Sequence, residues 1–297
     1  MENLEHDREA WSRSFFGSCY YTIESANSKE KRYHRFEICG MLYGDLNRKS
    51  QARKTENKVI GGYIKMKLIG IIGAMEVEVA SLKEMMTDVT IRTKASLEFN
   101  HGYLNGKEVV VVRSGIGKVN AGICTQILVD DYGVDCVINT GIAGSLRNEI
   151  NIGDIVISTD AIQHDMDVRI FGYPLGEIPQ MGVLSFPADE HLAEMAEEVC
   201  KEVNPEIQVF RGRVVSGDQF ISSKEVKKHL IEEFNGSCAE MEGAAIAQGA
   251  YLNKIPYVVL RAISDKADDS ATMDYPTFES EAARHCVNLL QEMVKRL

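Results

Sequence analysis

From Met66 to the C-terminus, short apolar runs alternate with stretches whose apolar residues recur at helical spacing. The runs Leu68 to Ile72, Val109 to Val112, Cys136 to Asn139, Ile155 to Ser158, Val209 to Val215 and Tyr257 to Ile263 read as buried strands. They are mainly apolar, rich in β-branched residues and too short for helices. Val79, Leu82 and Met86 form one helical stripe, and Ala121, Cys124, Ile127 and Leu128 form another, because residues three or four apart share a helix face. Asn105-Gly106 between two apolar runs predicts a two-residue hairpin, so part of the sheet is antiparallel. Ser222 followed by Glu225 predicts a helix from there to about Phe234. Pro276 behind Asp274 predicts the opening of a C-terminal helix that ends in Lys-Arg-Leu. Strands alternating with helices in this way predict an α/β fold: a single domain over residues 66–297 with a central mixed β-sheet flanked by helices.

Residues 1–65 break the pattern. They show neither period, and they carry 12 Lys and Arg against 9 Asp and Glu, whereas the chain as a whole has a net charge of −11. This segment reads as an N-terminal extension without a core of its own. Two origins fit it: a flexible tail, or a mis-assigned start upstream of Met66, since Gly61-Gly62 lies where a purine-rich ribosome-binding sequence could be encoded. No run is long enough for a signal peptide or a membrane span. The acidic body argues against nucleic acid as a partner, which demands a basic surface. Seven cysteines, widely spaced and without a C-x-x-C pair, favour neither a disulfide framework nor a zinc site and fit a reducing cytoplasm.

Candidate chemistry sits where small or polar residues interrupt the pattern after strands. The segments are 73–78 (GAMEVE), 114–118 (SGIGK), 140–145 (TGIAGS), 216–221 (SGDQFI) with 240–243 (EMEG), and 261–269 (RAISDKADD). Loops that follow strands of an α/β sheet collect at one edge, where ligands bind. Gly70 and Gly73 do not make a dinucleotide fingerprint, because Met75 stands where a third glycine belongs and Glu76 and Glu78 repel a pyrophosphate. Each segment also has a plain structural reading. Acidic residues suit any helix start, and the glycines serve equally as turn formers. Asp265 after a strand reads as a helix cap as readily as an acid, and alternation puts Glu240 and Glu242 on one face with one of them open to solvent. His101 and His164 read as structural, and no His or Cys group has metal-ligand spacing.

Taken together and in order, GIIGAMEVEV, SGIGKVNA, VINTGIAGS, HDMDVRIFGY, VSGDQFI, AEMEGAAIA and VVLRAISDKAD resemble the methylthioadenosine/S-adenosylhomocysteine nucleosidases of the nucleoside phosphorylase superfamily. The resemblance covers residues 66–297 and none of 1–65. It implies a nucleoside phosphorylase-like fold and hydrolysis of the adenine–ribose bond of 5′-methylthioadenosine, S-adenosylhomocysteine and 5′-deoxyadenosine, in methionine salvage, without a cofactor. By motif position, Asp265 resembles the general acid that protonates N7 of adenine. Glu78 resembles the base that activates water and, near a helix N-terminus, stays ionised. Glu242 resembles the acceptor of both ribose hydroxyls, with Gly144 and Ser264 beside the sugar. Phe220 and the backbone of Ile221 would meet adenine, while Met241, Met75, Ile116 and Tyr275 would wall the sugar and thioether. Val168 and Phe171 resemble residues that close the neighbouring subunit's pocket, which implies a homodimer. Ile142 stands where the family usually has serine, so one polar ribose contact differs.

The same resemblance sets out the rivals. Phosphorolysis needs a cationic phosphate cradle, and the corresponding loop offers Glu78 instead. A non-catalytic nucleoside binder could dispense with the acid or the base, yet both are present. Futalosine hydrolase, of the same superfamily, is not separated by residues alone.

Overall fold

The computed structural model describes residues 66–297 and, before them, two short strands, β1 (Val59–Ile60) and β2 (Tyr63–Ile64), paired antiparallel. The remaining expectations for the N-terminal extension fall outside the described residues. Ten strands make one mixed sheet: β3 (Leu68–Gly73), β4 (Thr87–Lys94), β5 (Leu97–Leu104), β6 (Lys107–Arg113), β7 (Cys136–Ser145), β8 (Ile155–Gln163), β9 (Phe186–Pro187), β10 (Val209–Ser216), β11 (Cys238–Glu240) and β12 (Tyr257–Asp265). The order is β11-β10-β8-β12-β7-β3-β6-β5-β4, with β9 on β8 and a further antiparallel pairing of β11 with β7. That last pairing closes β7, β12, β8, β10 and β11 on themselves, while β3 to β6 continue as an open wing. Asn105 and Gly106, both at positive φ, turn β5 into β6 as the dipeptide predicts.

Strand alternation explains why both faces are covered. Ile69, Ile71, Val109, Val111, Ile138, Val258 and Leu260 face one core, which α1 (Glu76–Met85), α3 (Glu190–Val203) and α6 (Ala271–Arg296) seal with Val79, Leu82, Leu192, Val199, Leu289 and Met293. Ile72, Val110, Val112, Val137 and Val259 face the other, sealed by Ala121 and Cys124 of α2 (Lys118–Ile127) and Ile246 and Ala250 of α5 (Gly243–Asn253). A strand buried on both faces reads as a continuous apolar run, which is how these strands read in the sequence. A third cluster seats α4 (Lys224–Phe234) through Leu230 and Phe234 against Ile162, Val215 and Ile221.

Three sequence expectations need correction. Segment 140–145 does not break the pattern: β7 runs on through it to Ser145, fully buried, because its small residues let neighbouring side chains close over the strand. The cap of α4 is Ser223, whose hydroxyl accepts the Val226 N–H, one residue beyond the serine expected. The C-terminal helix opens at Ala271 behind Ser270, so Pro276 lies within its second turn rather than at its first residue.

Candidate active site

Of the two carboxylates that follow β3, Glu76 is exposed and pairs with Lys83 at 2.9 Å. Glu78 turns inward. As the third residue of α1 it reaches back so that Oε2 accepts the N–H groups of Ala74 (2.6 Å) and Met75 (2.8 Å), while Oε1 accepts that of Ile142 on β7 (3.1 Å). It is only 4% exposed. Burial pushes its pKa up, opposed by the Arg261 charge and the three amide donors. Glu78 is thus a buried, hydrogen-bonded carboxyl with raised proton affinity.

Asp265 ends β12 and caps no helix. Its Oδ1 accepts the Ala267 N–H (2.8 Å) and its Oδ2 accepts the Ser264 hydroxyl (2.9 Å). Burial pushes its pKa up against those two donors, and Asp274 and Asp268 add to the rise. Two glycines of β7 make room for these carboxyls. A Cβ at Gly141 would come within 2.5 Å of Glu78 Oε1, and one at Gly144 within 2.7 Å of Asp265 Oδ1. Glu78 is bonded at Ile142 and Asp265 is paired with Gly144, so their anchor points on one strand lie two residues, roughly 7 Å, apart.

Glu240 and Glu242 are both buried, so neither is solvated as strand alternation suggested. The turn from β11 into α5 folds Glu240 back, and its carboxylate accepts the Gly243 N–H at 2.8 Å and the Ser216 hydroxyl. Glu242 accepts the Gly117 N–H at 2.8 Å. Burial first, then the neighbouring Glu240 charge, raise the pKa of Glu242 to about 7, with Arg261 opposing. Arg261, in the middle of β12, is 1% exposed and is ion-paired to Glu240, with Asn139 Oδ1 at 2.5 Å as a further acceptor. One buried cation thus stands behind three carboxylates, and nothing in the sequence reading assigned it a role. The signal was an arginine inside an otherwise apolar strand, which demands buried anions as partners.

The four carboxyls of Glu78, Asp265, Glu240 and Glu242 meet at a cavity of about 340 Å³, lined also by Met75, Ile116, Ile142, Gly144, Phe220, Ile221, Met241, Ser264 and Tyr275, with Gln219 and four alanines completing the wall. That volume suits a small molecule. Phe220 is half exposed and stands edge-on to Tyr275, ring centres 5.7 Å apart, while the Tyr275 hydroxyl lies 3.2 Å from Met75 Sδ. Ile142 gives its N–H to Glu78 and an apolar side chain to the wall. Val168 and Phe171 do not line the cavity of this chain, and Phe171 is 76% exposed on a short helical turn. The sequence places Glu240, Gln219 and Arg261 in candidate segments but gives them no role of their own.

The strand-edge expectation needs refining as well. β3, β6, β7 and β12 run parallel, so their C-terminal ends gather at one edge. β8 runs opposite to β12, and β10 and β11 follow β8. Their ends reach the cavity because β11 pairs back onto Gly144 and Ser145 of β7.

Residues 68–295 match the phosphorylase superfamily. The chain is 42% identical over 231 residues to the 5′-methylthioadenosine/S-adenosylhomocysteine nucleosidase of Staphylococcus carnosus, covering 77% of this chain and 100% of that protein. It is 43% identical over 230 residues to that of Shewanella loihica, covering 77% and 99%. The chain belongs to this nucleosidase family. The structure of the Neisseria meningitidis nucleosidase with methylthio-immucillin-A is similar at a TM-score of 0.75 and 39% identity, over 78% of this chain and 100% of that one. The native futalosine hydrolase of Helicobacter pylori is similar at a TM-score of 0.74 and 36% identity, over 78% and 98%. Within the nucleosidase family, then, this chain offers a cavity whose wall, among the described residues, holds three glutamates, one aspartate and no Lys or Arg.

Proposed function

We propose that the protein hydrolyses the N-glycosidic bond of 5′-methylthioadenosine and S-adenosylhomocysteine, with Asp265 as general acid and Glu78 as the base that activates water. The observation that carries this reading is that both carboxyls, each buried and each with raised proton affinity, line one nucleoside-sized cavity. Asp265 holds a proton it can give to the departing base, so that adenine leaves neutral. As the ribose carbon becomes cationic, the anionic wall stabilises it, and Glu78 removes a proton from the attacking water. Glu242 accepts the ribose hydroxyls. Its bond from Gly117 occupies one lone pair of one oxygen and leaves the others free.

Phosphorolysis is disfavoured because the charged side chains among the described lining residues are all carboxylates, which repel phosphate. Likeness to a futalosine hydrolase supports futalosine as a second substrate to be assayed. We further propose a homodimer in which Val168 and Phe171 of each copy complete the other's cavity, as the exposure of Ile170 (89%) and Phe171 (76%) supports. Incubation with each nucleoside in phosphate-free buffer, with chromatography of free adenine, tests the reaction. Bound but unconverted nucleoside would make the protein a binder.

A further inference from the structure

Two segments that line the cavity are fastened, on its outside, to each other and to a third segment, 163–165, that does not line it. Lys118, the first residue of α2, directs Nζ to Asp165 Oδ1 at 2.5 Å and to Gln163 Oε1 at 3.1 Å. The other Asp165 oxygen accepts the Asp218 N–H at 3.1 Å, and Asp218 Oδ1 accepts the Lys118 N–H at 2.8 Å. The three residues therefore form a closed ring of bonds. Asp218 caps α2 from a different loop, since the residue at the N-cap position, Gly117, has no side chain to do so. The Lys118 and Asp165 side chains are 17% and 19% exposed, which strengthens the pair relative to one in open solvent.

The Lys118 and Asp218 arms of the ring lead directly into the site, and Asp165 joins them from outside it. Two and three residues beyond Asp218 stand Phe220 and Ile221, and two residues before Lys118 stands Ile116, all on the cavity wall. Gly117, between Ile116 and Lys118, gives the N–H that holds Glu242 at 2.8 Å. On the far side the His164 N–H bonds the Ser216 carbonyl at 2.9 Å, and its ring packs so closely on Gly217 that a Cβ there would lie 2.4 Å from Nε2. By contrast, Glu78 and Asp265 take all their bonds from β7, the β3–α1 turn and the end of β12.

We infer that Lys118, Asp165 and Asp218 are positioning residues that hold the base-facing segment and the ribose-facing Glu242 in register for nucleoside binding, while leaving the acid and the water-activating base untouched. The inference rests on the proposed nucleosidase reading for its substrate. Lost register weakens binding in the ground state and the transition state alike, so KM rises and kcat does not fall in step.

The test is steady-state hydrolysis of 5′-methylthioadenosine by Asp165→Asn, Lys118→Met, the double variant and Lys118→Arg. Each charge-removing single variant should raise KM about tenfold, the loss of one charge-assisted hydrogen bond. The change in kcat should stay within about threefold. The double variant should be no worse than the poorer single one, and Lys118→Arg should restore most of the loss. Should Asp165→Asn fail to fold, Lys118→Met breaks the same pair from the other side. Amide hydrogen exchange without substrate supplies a readout independent of activity: Gly117 and Asp218 should exchange faster in the variants while β12 is unchanged. An unaltered KM, additive losses, or unchanged exchange at Gly117 and Asp218 overturns the inference. A wild-type protein that releases no adenine overturns the nucleosidase reading instead, and exchange together with calorimetric adenine affinity then decides the ring on its own.

Discussion

Among single residues, the proposed mechanism divides the chemistry between Asp265 and Glu78. Asp265→Asn and Glu78→Gln should each lower turnover by about 10²–10⁴-fold, while the affinity for 5′-methylthioadenosine, measured by calorimetry, largely survives. Near-normal turnover in either would remove that residue from the mechanism. Glu242 gives a pH signature of definite sign. Its pKa is raised to about 7 from an ordinary 4.5, so the folded protein binds that proton more tightly than the unfolded chain does. Its contribution to stability is fully present below about pH 4.5 and is lost as pH rises through about 7. Urea unfolding of the ligand-free protein should show that decline, and Glu242→Gln should flatten it. The same titration acts oppositely on binding: protonation removes an acceptor for the ribose hydroxyls, so KM should rise as pH falls below about 7. Arg261 is read from the same chemistry. Removing it in Arg261→Met leaves Glu240 buried without its counter-charge and should cost about 3–5 kcal/mol of stability. Denaturation midpoints check this.

At the level of elements, legibility followed burial on both faces. β3, β6 and β12 are readable because a largely apolar run of that length has few other uses. β4 was not, since all eight of its residues are exposed at the sheet's edge and carry no apolar period. β11, three residues long, is defined by pairing with β10 and β7 and is beyond any local pattern. The end of β7 reads in sequence as a loop because Gly141 and Gly144 look like turn formers, whereas their lack of a side chain serves close packing against Glu78 and Asp265. Gly144→Ala tests that explanation. Its Cβ would also meet Ala267 Cβ at 2.8 Å, so the end of β12 must shift. The expected result is a protein destabilised by about 1–3 kcal/mol whose turnover falls far more than its folded fraction. Unchanged kcat in Gly144→Ala would mean that Asp265 is not held by this contact.

At the level of the whole molecule, the site was more legible than the fold that assembles it. Every residue assigned to the chain's own pocket by motif position lines the one cavity, although the segments are scattered from Met75 to Tyr275. The order of the motifs carried that information. What the motifs did not carry was the counter-charge behind them and the barrel closure, because both depend on partners distant in sequence. Phe171 belongs to this scale too. Phe171→Asp should convert a dimer to a monomer in analytical ultracentrifugation and raise KM, and a dimer that survives the change would place the subunit contact elsewhere.

The reaction itself is tested most directly by giving the purified protein 5′-methylthioadenosine with and without inorganic phosphate and resolving the products. Free adenine and a free reducing thiosugar, formed at a rate independent of phosphate, are expected. A sugar-1-phosphate formed only when phosphate is present, or no cleavage at all, would contradict hydrolysis by Asp265 and Glu78.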